Sequence, residues 1–248
     1  MPTNELVTPL PVPALDASRR WLLAQSALLG LGALLLYWSF ERTDLDRRLA
    51  SALFDAELGL FPLRHSWFLE AVMHKAAKQA TYVLVAASLY VCWQGWRGRL
   101  AWLPARNALL AAIGMLAIPL ATSTAKLLTA RYCPWDIIDF GGYAPYLGLF
   151  EAAPSGLKAG QCFPAGHAST GFLWIVWAVA LRPAGPRAAR AALVAGLLAG
   201  AILGTARMLQ GAHFLSHTLW TLWLAWAASL ILAVAVRAEL GFGDRRRV

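Results

Sequence analysis

Three short blocks hold the residues best suited to do chemistry. The first pairs Lys126 with Arg131. The second is Pro164-Ala-Gly166-His167. The third runs from Arg207 through His213 to His217. Cations beside imidazoles suit a doubly charged oxyanion such as a phosphate ester. A guanidinium grips two oxygens at once and an ammonium acts as a point charge. One imidazole can attack phosphorus while a second protonates the leaving oxygen. Gly166 lets the backbone approach the anion, and a helix starting there would present N–H groups to it. Three cations supply the charge that a metal would otherwise provide, so no metal or other cofactor is expected. His213-x3-His217 also has metal-ligand spacing on one helical face. Membrane di-iron enzymes, however, need more such clusters than a chain with five histidines offers.

The elements that must position these blocks are membrane helices. Of 248 residues, 59% are hydrophobic and 14% charged, against about 45–50% and about 25% in a soluble domain. That excludes a soluble secreted enzyme, a disordered chain and a nucleic-acid reader. The net charge of +9 instead fits Lys and Arg held on the cytoplasmic side of a membrane protein. A span needs about 20 mostly apolar residues. Six segments qualify in an all-α bundle: 21–39, 79–96, 106–126, 166–181, 190–207 and 213–236. The first is too long for a signal-peptide core and is followed by bulky Tyr37-Trp38, so it is expected to be retained. Pro119 is tolerable inside a span. Gly196, Gly200 and Gly204 would let neighbouring helices come close.

Six spans put both termini on one side. That side carries twelve Lys and Arg against four acids, and the other carries ten against nine, so the termini are expected in the cytoplasm. The chain then reads as a multi-pass protein of a bacterial inner (cell) membrane. Lys126, Arg131, His167, Arg207 and His213 all fall at the outer, periplasmic face. Residues 65–78 are amphipathic, with Glu70, His74 and Lys78 on one face. They are expected to form an interfacial helix that either packs on the bundle or gives lipid a route to the site. His65 and His74 read as surface residues. Residues 1–18 read as a flexible cytoplasmic tail, 19–237 as the membrane domain and 238–248 as a basic tail. Cys92 should be a free thiol within a span. Cys133 and Cys162 share the outer loop, where an oxidising compartment favours a disulfide.

The blocks resemble those of the type 2 phosphatidic acid phosphatase superfamily, whose pattern is K-x6-R-P, P-S-G-H and S-R-x5-H-x3-D. The chain reads K-LLTA-R-Y-C-P from Lys126 to Pro134, P-A-G-H from Pro164 to His167, and A-R-MLQGA-H-FLS-H from Ala206 to His217. The resemblance implies a membrane lipid phosphatase acting on a lipid phosphate or pyrophosphate. His213 would be the nucleophile and form a phosphohistidine. His167 would act as acid and then base, and Lys126 and Arg207 would hold the phosphate. Three positions depart from the pattern. Cys133 stands where the motif has Arg, and Arg131 could reach the same oxygens instead. Ala165 replaces Ser, at a cost of about one neutral hydrogen bond, roughly 1 kcal/mol. His217 replaces the Asp that orients the nucleophile. It could accept a bond from His213, or Asp136, Asp139 or Glu151 could serve. A lipid phosphotransferase would use the same residues, and a non-catalytic lipid-binding relative is a further alternative.

Overall fold

The computed structural model describes residues 17–242. The expected tail at 1–18 and the basic tail at 238–248 lie largely outside the described residues. The fold is all-helical, with two isolated β-bridges and no strand among the described residues. In chain order the helices are α1 (Ala17–Glu41), α2 (Leu45–Ser51), a π-helix (Phe68–Ala76), α3 (Ala77–Trp96), α4 (Ala105–Leu127), two 3-10 turns (Pro134–Asp136 and Ile138–Phe140), α5 (Gly166–Phe172), a third 3-10 turn (Leu173–Ile175), α6 (Val176–Ala180), α7 (Pro186–Leu209) and α8 (Leu215–Ala235).

Four of these are long and apolar enough to cross a bilayer among the described residues: α1, α4, α7 and α8. Six were expected. The segment 166–181 is broken by its 3-10 turn into a rod of about 24 Å, short of a hydrocarbon core of about 30 Å. It is buried at the centre of the bundle against α4, α7 and α8. Helix α3 includes Lys78, Gln79 and Gln94, which dilute its hydropathy. The amphipathic segment is not a separate interfacial helix. Its π-helix runs straight into α3, and Leu69 is buried.

Small residues set the central spacing. A Cβ on Gly171 would lie 2.4 Å from the Gly200 backbone nitrogen, and one on Gly204 would lie 2.5 Å from Thr218. Helix α5 therefore packs on α7 nearly backbone to backbone, as small residues allow in lipid. Helix α1 leans on α8 through Trp223 Nε1, which donates to Leu29 O at 2.8 Å, and Trp226 Nε1, which donates to Gln25 at 3.1 Å. Its other faces expose Leu28, Leu31, Leu34 and Leu35, the surface a lipid-facing helix presents.

The end of the bundle opposite the three blocks is tied by Asn107. Its amide donates to Ala180 O and Glu239 O, both at 3.0 Å. At the other end the loops fold into a cap with its own core, including Phe61, Ile137, Phe140 and Phe214. The cap closes on the tight turn between α7 and α8. Gly211 there has φ +72°, and a Cβ would meet the Phe61 ring at 2.3 Å. Only glycine suits both demands. The turn carries Arg207 on one side and His213 on the other.

Candidate active site

Lys126 lies in the last turn of α4. Its Nζ donates to Gln161 O at 3.0 Å and Cys162 O at 3.4 Å, which brings it to the start of α5. A Cβ on Gly166 would lie 3.2 Å from Lys126 Cε. Gly166 is thus where the lysine stem and the α5 backbone come together. His167 follows within the first turn of α5. Ser169 and Thr170 return their hydroxyls to the carbonyls of Gly166 and His167, both at 2.7 Å.

His213 is buried just before α8. Its Nδ1 lies 3.4 Å from His217 Nδ1 and 3.3 Å from Cys162 Sγ. The positions are one helical turn apart, so the two rings meet edge to face with centroids 5.7 Å apart. With Nδ1 so engaged, Nε2 is the nitrogen left for attack. The charges of Lys126 and Arg207 and the ring of His167 all act on His213. His217 is fully buried between Phe163 and Phe214, each ring 5.3 Å from it, and its Nε2 has no hydrogen-bond partner among the described residues.

Arg207 donates through Nη1 to Gln210 at 2.7 Å, while its buried Nε has no hydrogen-bond partner among the described residues. An unused buried N–H donor is costly unless something fills it, and an oxyanion would. The same Nη1 stands 3.3 Å from His74 Nδ1 and 3.7 Å from Glu70. His74 in turn meets His167 edge to face at 4.0 Å between centroids. The polar face of the π-helix is therefore turned onto the blocks, and His74 is not the surface residue expected. The Glu70, His74 and Lys78 spacing was visible in the sequence, but not what it would pack against. His65 takes no part in the cluster.

Arg131 is a further correction. It is 1% exposed, and its guanidinium is spent on structure. Nη1 donates to Glu41 at 3.1 Å, Nη2 donates to Tyr146 OH at 2.7 Å, and Asp46 lies 3.7 Å away. The ion group fastens α1 and α2 to the loop after α4. Asp46 also accepts from the backbone N–H and the hydroxyl of Ser216, and so caps the start of α8. Burial pushes the Asp46 carboxyl up, against the pull of Ser216 and Arg131. The sequence gives both acids, but nothing local links them to an arginine some 90 positions later.

The loop carboxylates considered as orienters are committed elsewhere. Asp139 pairs with Arg47 at 3.4 Å, and Glu151 accepts from Gly148 N at 2.7 Å. Asp136 lies under the influence of Arg64, Trp135 and the Cys133 backbone. No carboxylate among the described residues hydrogen-bonds to His213. Cys133 and Cys162 are joined in a disulfide with Cα atoms 5.2 Å apart, and Cys92 is a buried free thiol. The bridge ties the segment after Arg131 to the segment before His167.

Two imidazoles, a lysine and an arginine with an unused donor thus converge from four separate parts of the chain. Residues 107–240 match the family model described as the PAP2 superfamily. Neither the comparison with curated proteins nor that with solved structures found a match.

Proposed function

The chain belongs to the PAP2 superfamily, a group of phosphatase-type hydrolases, and on that premise we propose that it is a metal-independent membrane lipid phosphatase working through a phosphohistidine. The observation that carries the reading is the joint placement of His213, His167, Lys126 and Arg207 around one point.

In this mechanism Lys126 and the free Nε–H of Arg207 bind the phosphate oxygens, and Gly166 allows their close approach. His213 Nδ1–H donates to His217, which keeps a lone pair on Nε2. That pair attacks phosphorus as the bond to the leaving oxygen breaks, and His167 gives its proton to that oxygen. Water then attacks the phosphohistidine, His167 takes the water's proton, and orthophosphate leaves with His213 restored. Fixed charges aimed at the transition state account for most of such catalysis.

A lipid substrate is favoured because the site lies at the end of apolar helices, where a tail can stay in the bilayer while its headgroup reaches the cations. The charge bias of the loops supports an outward-facing site in a cell membrane, with the termini in the cytoplasm. The Nδ1–Nδ1 contact of 3.4 Å between His213 and His217, which lipid binding alone does not need, favours hydrolase chemistry over a non-catalytic lipid-binding role. A phosphotransferase would share every residue named, and product analysis with a lipid acceptor separates the two.

The test is phosphate release from a panel of lipid phosphates and pyrophosphates by purified protein in nanodiscs. Wild type should release phosphate in the presence of a strong chelator, and His213→Ala should release none while inserting normally. Full turnover by His213→Ala sinks the assignment. Loss of activity on chelation, restored by Zn²⁺ or Fe²⁺, shows instead a metal enzyme.

A further inference from the structure

Two departures from the family pattern fall at one spot. Cys133 stands where the motif has Arg, and His217 where it has Asp. Around the nucleophile the fold gathers Cys162, His213 and His217, all buried, with one ligand atom of each within 4.8 Å of the others. Two of the three separations are 3.3 Å for Cys162 to His213 and 3.4 Å for His213 to His217. In a tetrahedral zinc site the bonds are about 2.0–2.1 Å to imidazole and about 2.3 Å to thiolate, so ligand atoms sit roughly 3.3–3.6 Å apart. The two edges match that figure. The Cys133 sulfur is bonded directly to Cys162, so a fourth donor stands one bond away. Two cysteines and two histidines are a common structural zinc set.

The disulfide decides whether those sulfurs can serve. A disulfide sulfur is neutral and a poor ligand, whereas a thiolate is a strong one. We propose that Cys162, His213 and His217, joined by Cys133, form a binding site for a zinc-class divalent cation once the Cys133–Cys162 disulfide is reduced, and that the bound metal silences the nucleophile. The reduction balances simply. A dithiol gives two electrons and two protons to the bridge, leaving two protein thiols and one oxidised dithiol. The cation then replaces the thiol protons, which pass to solvent.

The frame around the ligands does not depend on the bridge alone. Cys162 N donates to Arg131 O at 3.1 Å, and its carbonyl receives the Lys126 ammonium. Thr129 Oγ1 donates to Phe163 O at 2.8 Å. His217 is held in the first turn of α8. The silencing follows from the imidazole itself. A metal on Nδ1 of His213 uses that lone pair and leaves the ring proton on Nε2, the nitrogen needed for attack. The site stands on geometry alone, while the silencing rests on the reading of His213 as nucleophile.

The experiment uses full-length protein in nanodiscs, reduced with a phosphine and titrated with Co²⁺. The expected result is one Co²⁺ per chain, with a thiolate-to-cobalt charge-transfer band and the intense visible bands of a tetrahedral site, both lost when Zn²⁺ displaces the cobalt. Oxidised wild type should show no thiolate band. Cys133→Ser leaves Cys162 as a permanent thiol and should show the band without reductant. His217→Ala should weaken Co²⁺ binding at least tenfold. A reduced wild type with no thiolate–cobalt band overturns the site, as does unchanged affinity in His217→Ala. In parallel, stoichiometric Zn²⁺ should lower turnover of the reduced enzyme more than tenfold and spare the oxidised enzyme, with a chelator reversing the loss. Cobalt bound as expected with turnover untouched upholds the site and overturns the silencing, and the phosphatase reading is then judged by His213→Ala alone.

Discussion

Replacing His217 probes how far the orienting bond matters. The Nδ1–Nδ1 separation of 3.4 Å is long for a hydrogen bond, and both rings are neutral when the bond forms. Such a bond contributes about 0.5–1.5 kcal/mol. At about 1.4 kcal/mol per factor of ten, His217→Ala should lower kcat by about 2- to 10-fold. Removing a fully buried ring between Phe163 and Phe214 also costs about 2–4 kcal/mol of stability, so rates must be referred to folded protein. His217→Asp places an oxygen where Nδ1 stands, because both atoms lie one bond beyond Cγ. It also removes the unpartnered Nε2. The carboxylate would face Arg131 and Lys126, whose charges already act on this position. A bond to an ionised acceptor contributes about 1.5–3 kcal/mol, roughly 1.3 kcal/mol more than the neutral bond at mid-range, so the Asp variant should match wild type or exceed it by about tenfold. His217→Phe should behave like Ala or worse. The assay is single-turnover phosphate release from lipid phosphate in nanodiscs, with thermal melting of each variant alongside. An Asp variant as inactive as His213→Ala, beside an active Ala variant, refutes the orienting role.

Glu41→Gln leaves Arg131 with one fewer charge partner inside the cap. Breaking a buried pair costs about 3–5 kcal/mol, so the melting midpoint should fall sharply while activity at low temperature is kept, as paired melting and rate measurements would show. Gly171→Ala drives a methyl into the α7 backbone. It should destabilise by about 2–3 kcal/mol and lower turnover, since Gly166 and His167 ride on the same helix; denaturation and rate assays read both. His74→Ala removes the ring against His167 and a neighbour of Arg207. An edge-to-face contact contributes about 0.5–1.5 kcal/mol, so kcat/KM should fall by about 2- to 10-fold. Unchanged kcat/KM would mean that the π-helix only packs there.

The four central residues were legible because their information is local. Lys126, His167, Arg207 and His213 each sit in a block with its own spacing, at the ends of apolar runs. What the sequence hid is non-local. Arg131 looked free to bind phosphate because Glu41 and Asp46, which hold it, lie far back in the chain. His74 looked like a surface residue because a polar helical face reads the same whether it meets water or another polar surface. Among the described residues, four long apolar helices stand where six spans are expected, for a related reason. A run of apolar residues from Gly166 marks burial, and burial in the middle of a bundle needs no length to match the bilayer. Pairing Cys133 with Cys162 needed only their shared loop, whereas the approach of Cys162 to His213 needed the fold.

The most direct measurement is the covalent intermediate. Wild-type protein mixed with lipid phosphate labelled in the phosphoryl group and quenched within a turnover should carry label that is stable to base and lost in acid, and peptide mapping should place it on His213. Label on another residue, or none from an enzyme turning over at full rate, would contradict the account.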